Sequence, residues 1–187
     1  MKSFFALVVL TLSVTVGASA QMMDKNSGNP MVGGAAMYKT KNIVENAVNS
    51  KDHTTLVAAV KAAGLVDTLM SAGPFTVFAP VNSAFDKLPA GTVDTLLKPE
   101  NKAMLAGILK YHVVAGNIDS KAVVKAIKDG RGKAELTTVA GGKLTAMLDG
   151  KNVVIMDEKG GKSIVTIADV RQSNGVIHVV DTVLMPN

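Results

Sequence analysis

The sequence predicts an α+β domain with its helices first and most of its strands second. Three observations carry that expectation. Apolar residues recur at helical spacing from Ile43 to about Lys128. After Asp129-Gly130 the period changes to short β-prone runs separated by glycine-containing turns. One early β-rich run, Phe75-Thr76-Val77-Phe78-Ala79, has to join those later strands in a sheet. Alternating βαβ units are not indicated, and no glycine-rich phosphate loop links a strand to a helix, because Gly73-Pro74 precedes its strand.

The chain opens with Lys2, an apolar stretch from Phe4 to Val16 and the small residues Ala18-Ser19-Ala20. This pattern predicts a cleavable signal peptide over residues 1–20 and a new N-terminus at Gln21. The apolar stretch is short for a span of about 20 residues and no basic stop-transfer patch follows, so cleavage is expected rather than anchoring. No integral membrane span is expected later in the chain, and with no cysteine there is neither a disulfide framework nor a lipid-bearing residue. The expected location is secreted or periplasmic. Residues 21–40 contain Met22, Met23, Met31, Met37, Pro30 and Gly33-Gly34 without a sustained period of 3.6 or 2, and read as a flexible tail. The domain is expected over residues 41–187.

Within it, Ile43, Val44, Ala47 and Val48 mark one helical face, and Thr54 or Thr55 can cap a second helix that ends at Gly64. Leu65 to Met70 adds a short turn of helix before Gly73-Pro74 and the Phe75–Ala79 strand, which Pro80 closes. Asn82 is expected to cap Ser83 to Leu88, Thr92 to cap Val93 to Leu97, and Pro99 to open a helix through Tyr111 with Met104, Leu105, Ile108 and Leu109 inward. Ser120 is expected to cap Lys121 to Lys128, with Val123, Val124 and Ile127 facing the core. Glu135–Val139, Lys143–Leu148, Asn152–Met156, Ser163–Ala168 and Val176–Val180 then read as strands joined at Gly141-Gly142, Asp149-Gly150, Gly160-Gly161 and Asn174-Gly175.

The formal net charge of +5 is mild and dispersed along the chain, and only two tyrosines and no tryptophan could stack on bases, so nucleic-acid binding is not expected. His53, His112 and His178 do not stand at metal-ligand spacing. Ser83 and Ser163 lack a nucleophile elbow, and Asp157-Glu158 falls in a turn-rich segment typical of a solvated hairpin. No catalytic residue, cofactor or metal site is therefore expected. The methionines of the tail leave Cu(I) handling as a minor alternative, thioethers being soft ligands.

Three segments resemble one known family, the fasciclin domain. The first is Gly73-Pro74-Phe75-Thr76-Val77-Phe78-Ala79-Pro80 with Asn82, Ala84, Phe85 and Leu88-Pro89; the second is Leu109-Lys110-Tyr111-His112-Val113-Val114-Ala115-Gly116; the third is Asn174-Gly175-Val176-Ile177-His178-Val179-Val180-Asp181 with Leu184-Met185-Pro186. The resemblance covers about Lys41 to Pro186 and implies a wedge-like β-sandwich of about seven strands flanked by a layer of helices. It implies an exported, non-enzymatic binding module acting in cell adhesion or in contact with the envelope or extracellular matrix, with a cell-surface protein or polysaccharide as partner. In animal matrix members of the family an aspartate followed by isoleucine, matched here by Asp169 and Val170, is assigned to integrin binding, and the tyrosine-histidine pair, matched by Tyr111 and His112, is also implicated. The same four residues have a structural reading: Asp169 closing a turn, Val170 in the core, and His112 beside Tyr111 holding backbone carbonyls. A periplasmic carrier of a small apolar ligand is the alternative function, and a cavity with convergent polar groups is the feature that would favour it.

Overall fold

A computed structural model of the chain describes residues 28–187. The expected signal peptide at 1–20 and the tail residues up to 27 lie outside the described residues. Among the described residues seven α-helices run over α1 (Ile43–Ala47), α2 (Thr54–Ala63), α3 (Val66–Met70), α4 (Asn82–Asp86), α5 (Thr92–Leu96), α6 (Lys102–Tyr111) and α7 (Ser120–Asp129). The strands are β1 (Met31–Val32), β2 (Ala35–Ala36), β3 (Phe75–Pro80), β4 (Val113–Ala115), β5 (Lys133–Thr137), β6 (Lys143–Asp149), β7 (Asn152–Met156), β8 (Lys162–Gln172) and β9 (Gly175–Val180). The α+β expectation holds, with the helices preceding the meander.

Seven strands hydrogen-bond in the order β4-β3-β9-β8-β7-β6-β5, and only β3 and β9 run parallel. The sheet bends at β8. Its first residues, Lys162 to Ile164, pair with β7, whereas Val165 to Gln172 pair with β9 through two register breaks, so one long strand passes from one half of the sheet to the other. The two end strands meet as well: Val114 bridges Thr138, and the Val139 amide donates to Val113 O at 2.7 Å. The result is a seven-stranded mixed sheet that nearly closes on itself.

Two apolar clusters fill the interior. One lies between the sheet and the first helices, with Leu56, Val60, Leu69, Leu105, Leu109, Val77, Val170 and Ile177 at its centre. The other lies beneath α7, where Val123 and Ile127 meet Phe78, Tyr111, Leu144, Ile155 and Val180. All six residues of β9 are buried, as the apolar run on both of its faces requires.

Several details depart from the sequence expectation. Residues 28–40 do not behave as tail: β1 and β2 form a hairpin, and Val32 and Met37 are only 3% and 2% exposed in the core. The short β-period of a two-residue pair is invisible against glycines and small residues. Asn82 does not cap its own helix. Its Oδ1 accepts from Thr55 N (3.1 Å) and Thr54 Oγ1 (3.2 Å), capping α2 from 27 residues away, while Nδ2 donates to Lys51 O. Gly91 stands at the N-cap of α5 in place of Thr92, and Asp119 caps α7 in place of Ser120 by accepting from Ala122 N at 2.9 Å. The turn between β8 and β9 is Ser173-Asn174, one residue earlier than expected, because Gln172 pairs with Gly175. Gly175 is needed for a different reason: a Cβ there would lie 2.0 Å from Phe75 O on the neighbouring strand.

Candidate functional site

The second register break of β8 places Asp169 at φ 60°, a left-handed conformation that aspartate tolerates better than most residues because its short side chain can bond locally. The carboxylate is engaged. Oδ1 accepts from Ser120 N at 2.7 Å, and Oδ2 accepts from the Ser120 hydroxyl. One residue earlier in the chain, Asp119 caps α7 and receives Arg171 Nη2 at 3.0 Å. The backbone of β8 is thus stapled to the start of α7 by two acids, one from each element. The Ala122 amide and Arg171 hold the Asp119 carboxyl below the usual carboxylate range.

Behind this staple lies His178. Its Nδ1 accepts from Asp169 N (3.3 Å), its Nε2 is 2.9 Å from Ile118 O, and its ring stacks on Phe78 with centroids 5.7 Å apart. A ring that accepts at Nδ1 and faces a carbonyl at Nε2 is the neutral Nε2–H tautomer. Burial pushes its pKa down, against the pull of Ile118 O and of Asp169 and Asp119. Val170, the neighbour of Asp169, is fully buried against the first cluster.

Tyr111 and His112 stand elsewhere. Tyr111 is fully buried; its hydroxyl donates to Lys143 O (2.7 Å) and accepts from Glu158 N (3.1 Å), tying α6 to the β6 and β7 ends. His112 is 3% exposed, with Nδ1 2.8 Å from Ile108 O and Nε2 accepting from Leu184 N at 2.9 Å. It is therefore the neutral Nδ1–H tautomer, and burial lowers its pKa to about 4. His53 bonds Ser50 Oγ through Nδ1 at 2.9 Å, while its Nε2 is buried beside the Ala79 backbone without a hydrogen bond of normal geometry.

Of the four residues singled out in the sequence, then, Val170, Tyr111 and His112 are interior groups, and only Asp169 reaches the surface. No hydrogen bond joins the 111–112 pair to the 169–170 pair among the described residues. Sequence reasoning missed the staple's other members, Ser120, Asp119 and Arg171. It also missed Asn174, whose Oδ1 accepts from Ile43 N and whose Nδ2 donates to Leu69 O and Ser71 O, and the buried Asn46–Gln172 pair. A polar residue on the apolar face of α1 was the available signal for Asn46. Among the described residues no group of three or more histidines or acids could hold a metal, and no helix is long and apolar enough to cross a membrane. Met37, packed in the core, is not free to serve as a thioether ligand.

A bent, nearly closed sheet of seven strands lies under a helical layer, with His112 and His178 buried and bonded to backbone groups. The fasciclin domain model matches residues 51–186, and the chain belongs to that family. It is similar to protein sll1483 of Synechocystis, with 45% identity over 98% of this chain and 94% of that one. It is also similar to the cell surface glycolipoprotein MPB83 of Mycobacterium bovis, with 34% identity over 89% of this chain and 70% of the relative. Among solved structures, the fasciclin domain pair of the insect cell adhesion molecule fasciclin I superposes with a TM-score of 0.68, covering 78% of this chain and 51% of that one at 21% identity.

Proposed function

We propose that the chain is an exported, non-enzymatic surface-binding module that acts in adhesion or envelope contact, and that its contact face includes the staple of Asp169, Arg171 and Asp119. The observation that carries this reading is where the polar chemistry goes. Tyr111, His112 and His178 spend their polar atoms on backbone groups, and Asp169 with its neighbours reaches solvent. Two relatives support the location, since one is named as a cell surface glycolipoprotein and the other as a cell adhesion molecule. Val170 anchors the strand beside that face in the core, and Tyr111 and His112 brace the domain elsewhere. A signal peptide over residues 1–20 would deliver the domain outside the cytoplasm.

The carrier alternative has one observation on its side, an apolar cavity between the helices and the sheet lined by Val32, Met37, Leu56, Val60, Leu69 and Ile177 among others. Its volume, about 70 Å³, is well below the several hundred Å³ of ordinary ligand pockets. Of the polar residues in its wall, Ser50 and His53 bond each other and His112 bonds the backbone at Ile108 and Leu184, while Lys61, Thr68 and Lys110 also line it. The test is binding of the labelled protein to intact cells and envelope preparations, beside an Asp169→Asn/Arg171→Ala variant whose melting temperature is measured in parallel. Saturable binding that the folded variant loses is the expected result. Absence of saturable binding, with an apolar small molecule retained in native mass spectrometry, would replace this reading with the carrier.

A further inference from the structure

The described residues carry eighteen lysines and arginines against fourteen aspartates and glutamates, a modest excess. The fold gathers most of it in one place. Between Asp119 and Lys133 stand Lys121, Lys125, Lys128, Arg131 and Lys133 against only Asp119 and Asp129, so three of the four excess charges fall in α7 and its immediate exits. Charge that looks dispersed along the sequence is concentrated in space.

On α7 the lysines share a face. At 100° per residue Lys121, Lys125 and Lys128 fall within an arc of about 60° along about 10 Å of axis. With Ser120 and Val124 they line a shallow open groove of about 370 Å³. Lys125 pairs with Asp129 one turn on. Lys121 lowers the Asp119 pKa without pairing to it, and among the described residues Lys121, Lys128, Arg131 and Lys133 make no salt bridge. Asp119 itself is already occupied by Ala122 N and Arg171. The face therefore keeps unneutralised positive charge next to the Asp169 staple.

We propose that this groove is a binding site for an anionic polysaccharide, a chain of sugars bearing repeated carboxylate or sulfate groups. The proposal rests on the surface-binding reading and names its partner class. Lysine ammonium groups are point charges that accept carboxylate or sulfate in many geometries, which suits a repeating polymer better than a single stereospecific ligand. The other polyanions fit less well. The segment 119–133 has no aromatic residue on which a nucleic-acid base could stack. The apolar face of α7, Val123 and Ile127, is used up in the core, so no hydrophobic face remains to enter a bilayer. A single half-buried Val124 offers no pocket for the aromatic anchor of a protein partner.

The experiment measures binding of the full chain to alginate and to dextran sulfate at several salt concentrations. Uncharged dextran, single-stranded DNA and anionic phosphatidylglycerol vesicles run in parallel. Two triple variants of equal net charge are compared, Lys121→Gln/Lys125→Gln/Lys128→Gln and, on the helical side of the molecule, Lys61→Gln/Lys98→Gln/Lys102→Gln. At about fivefold per lysine near an anionic surface, the α7 variant should bind the charged glycans roughly 100-fold more weakly. The second variant should stay within a few-fold of the parent, and the parent's affinity should fall as salt rises. Equal losses in both variants would overturn the site, because net charge and not place would be responsible. Tighter binding to DNA or vesicles than to either glycan would overturn the partner class. If the α7 variant keeps full binding to cells, this inference fails while the surface-binding reading stands.

Discussion

Acidification between pH 7 and pH 4.5 should destabilise the fold chiefly through its histidines, and His112 provides the sharpest case. In the folded chain the imidazole is neutral with a pKa of about 4, because burial disfavours the charged ring; Nε2 also accepts from Leu184 N, a bond that a protonated ring could not make. The unfolded chain titrates near 6.5. A depressed folded pKa means that the unfolded state takes up the proton first, so stability is intact above about pH 6.5 and falls as pH drops toward 4. At 1.36 kcal/mol per unit, the loss from His112 alone by pH 4.5 is roughly 2–3 kcal/mol. His53 and His178 are shifted in the same direction and add to the slope. The lowered carboxylates Asp119 and Asp181 contribute only below about pH 4, so they do not mask the window. Urea unfolding at pH 7, 6, 5 and 4.5 measures the slope, and His112→Gln should start less stable but flatten it by roughly 2–3 kcal/mol across the range. An NMR titration of the His112 ring gives an independent reading that does not need the variant. Parallel pH slopes for parent and variant, or a ring that protonates near pH 6.5 in the folded state, would refute the reasoning.

Gly175→Ala should cost several kcal/mol, since its Cβ would meet backbone and not a flexible side chain at 2.0 Å from Phe75 O; chemical denaturation checks it. Asp169→Ala should lose about 1–3 kcal/mol, because it removes the acceptor for Ser120 and leaves a left-handed backbone on alanine. Asp169→Asn, which tolerates that backbone, should lose less, and thermal melts of the two variants separate the contributions. Met37→Ala should cost about 2–5 kcal/mol by enlarging the cavity beneath the N-terminal hairpin, whereas a residue in a loose tail would cost almost nothing.

Much of this architecture is legible in local sequence pattern. The helical faces of α2 and α6 and the hairpins from β5 to β9 follow from periods of 3.6 and 2 with glycine turns between them, signals that act over a few residues. The structural use of His112 and His178 is readable for the same reason, each sitting in an apolar run. What escapes is whatever depends on a distant partner. Asn82 has the residue type of a cap, but the helix it caps is fixed only by tertiary packing. β4 is three residues appended to a helix and gains its identity from β3 and Thr138. Asp169 shows its left-handed backbone only once β8 has crossed between the two halves of the sheet. The basic face of α7 is in the sequence as a spacing of four and three, yet its weight depends on the acids that folding places out of reach.

The contact between Val114 and Thr138 has a consequence for how copies of the chain can associate. An open sheet offers unpaired amides and carbonyls at each end, and such rims recruit strands from other chains. Here the rim of β4 is occupied by the chain's own residues 138 and 139, and α7 lies against β5 at the other end. Copies packed side by side therefore have little ladder with which to fuse, and a partner must grip side chains instead of adding a strand. That geometry directs any association between copies to side chains on the faces of the sheet and helices.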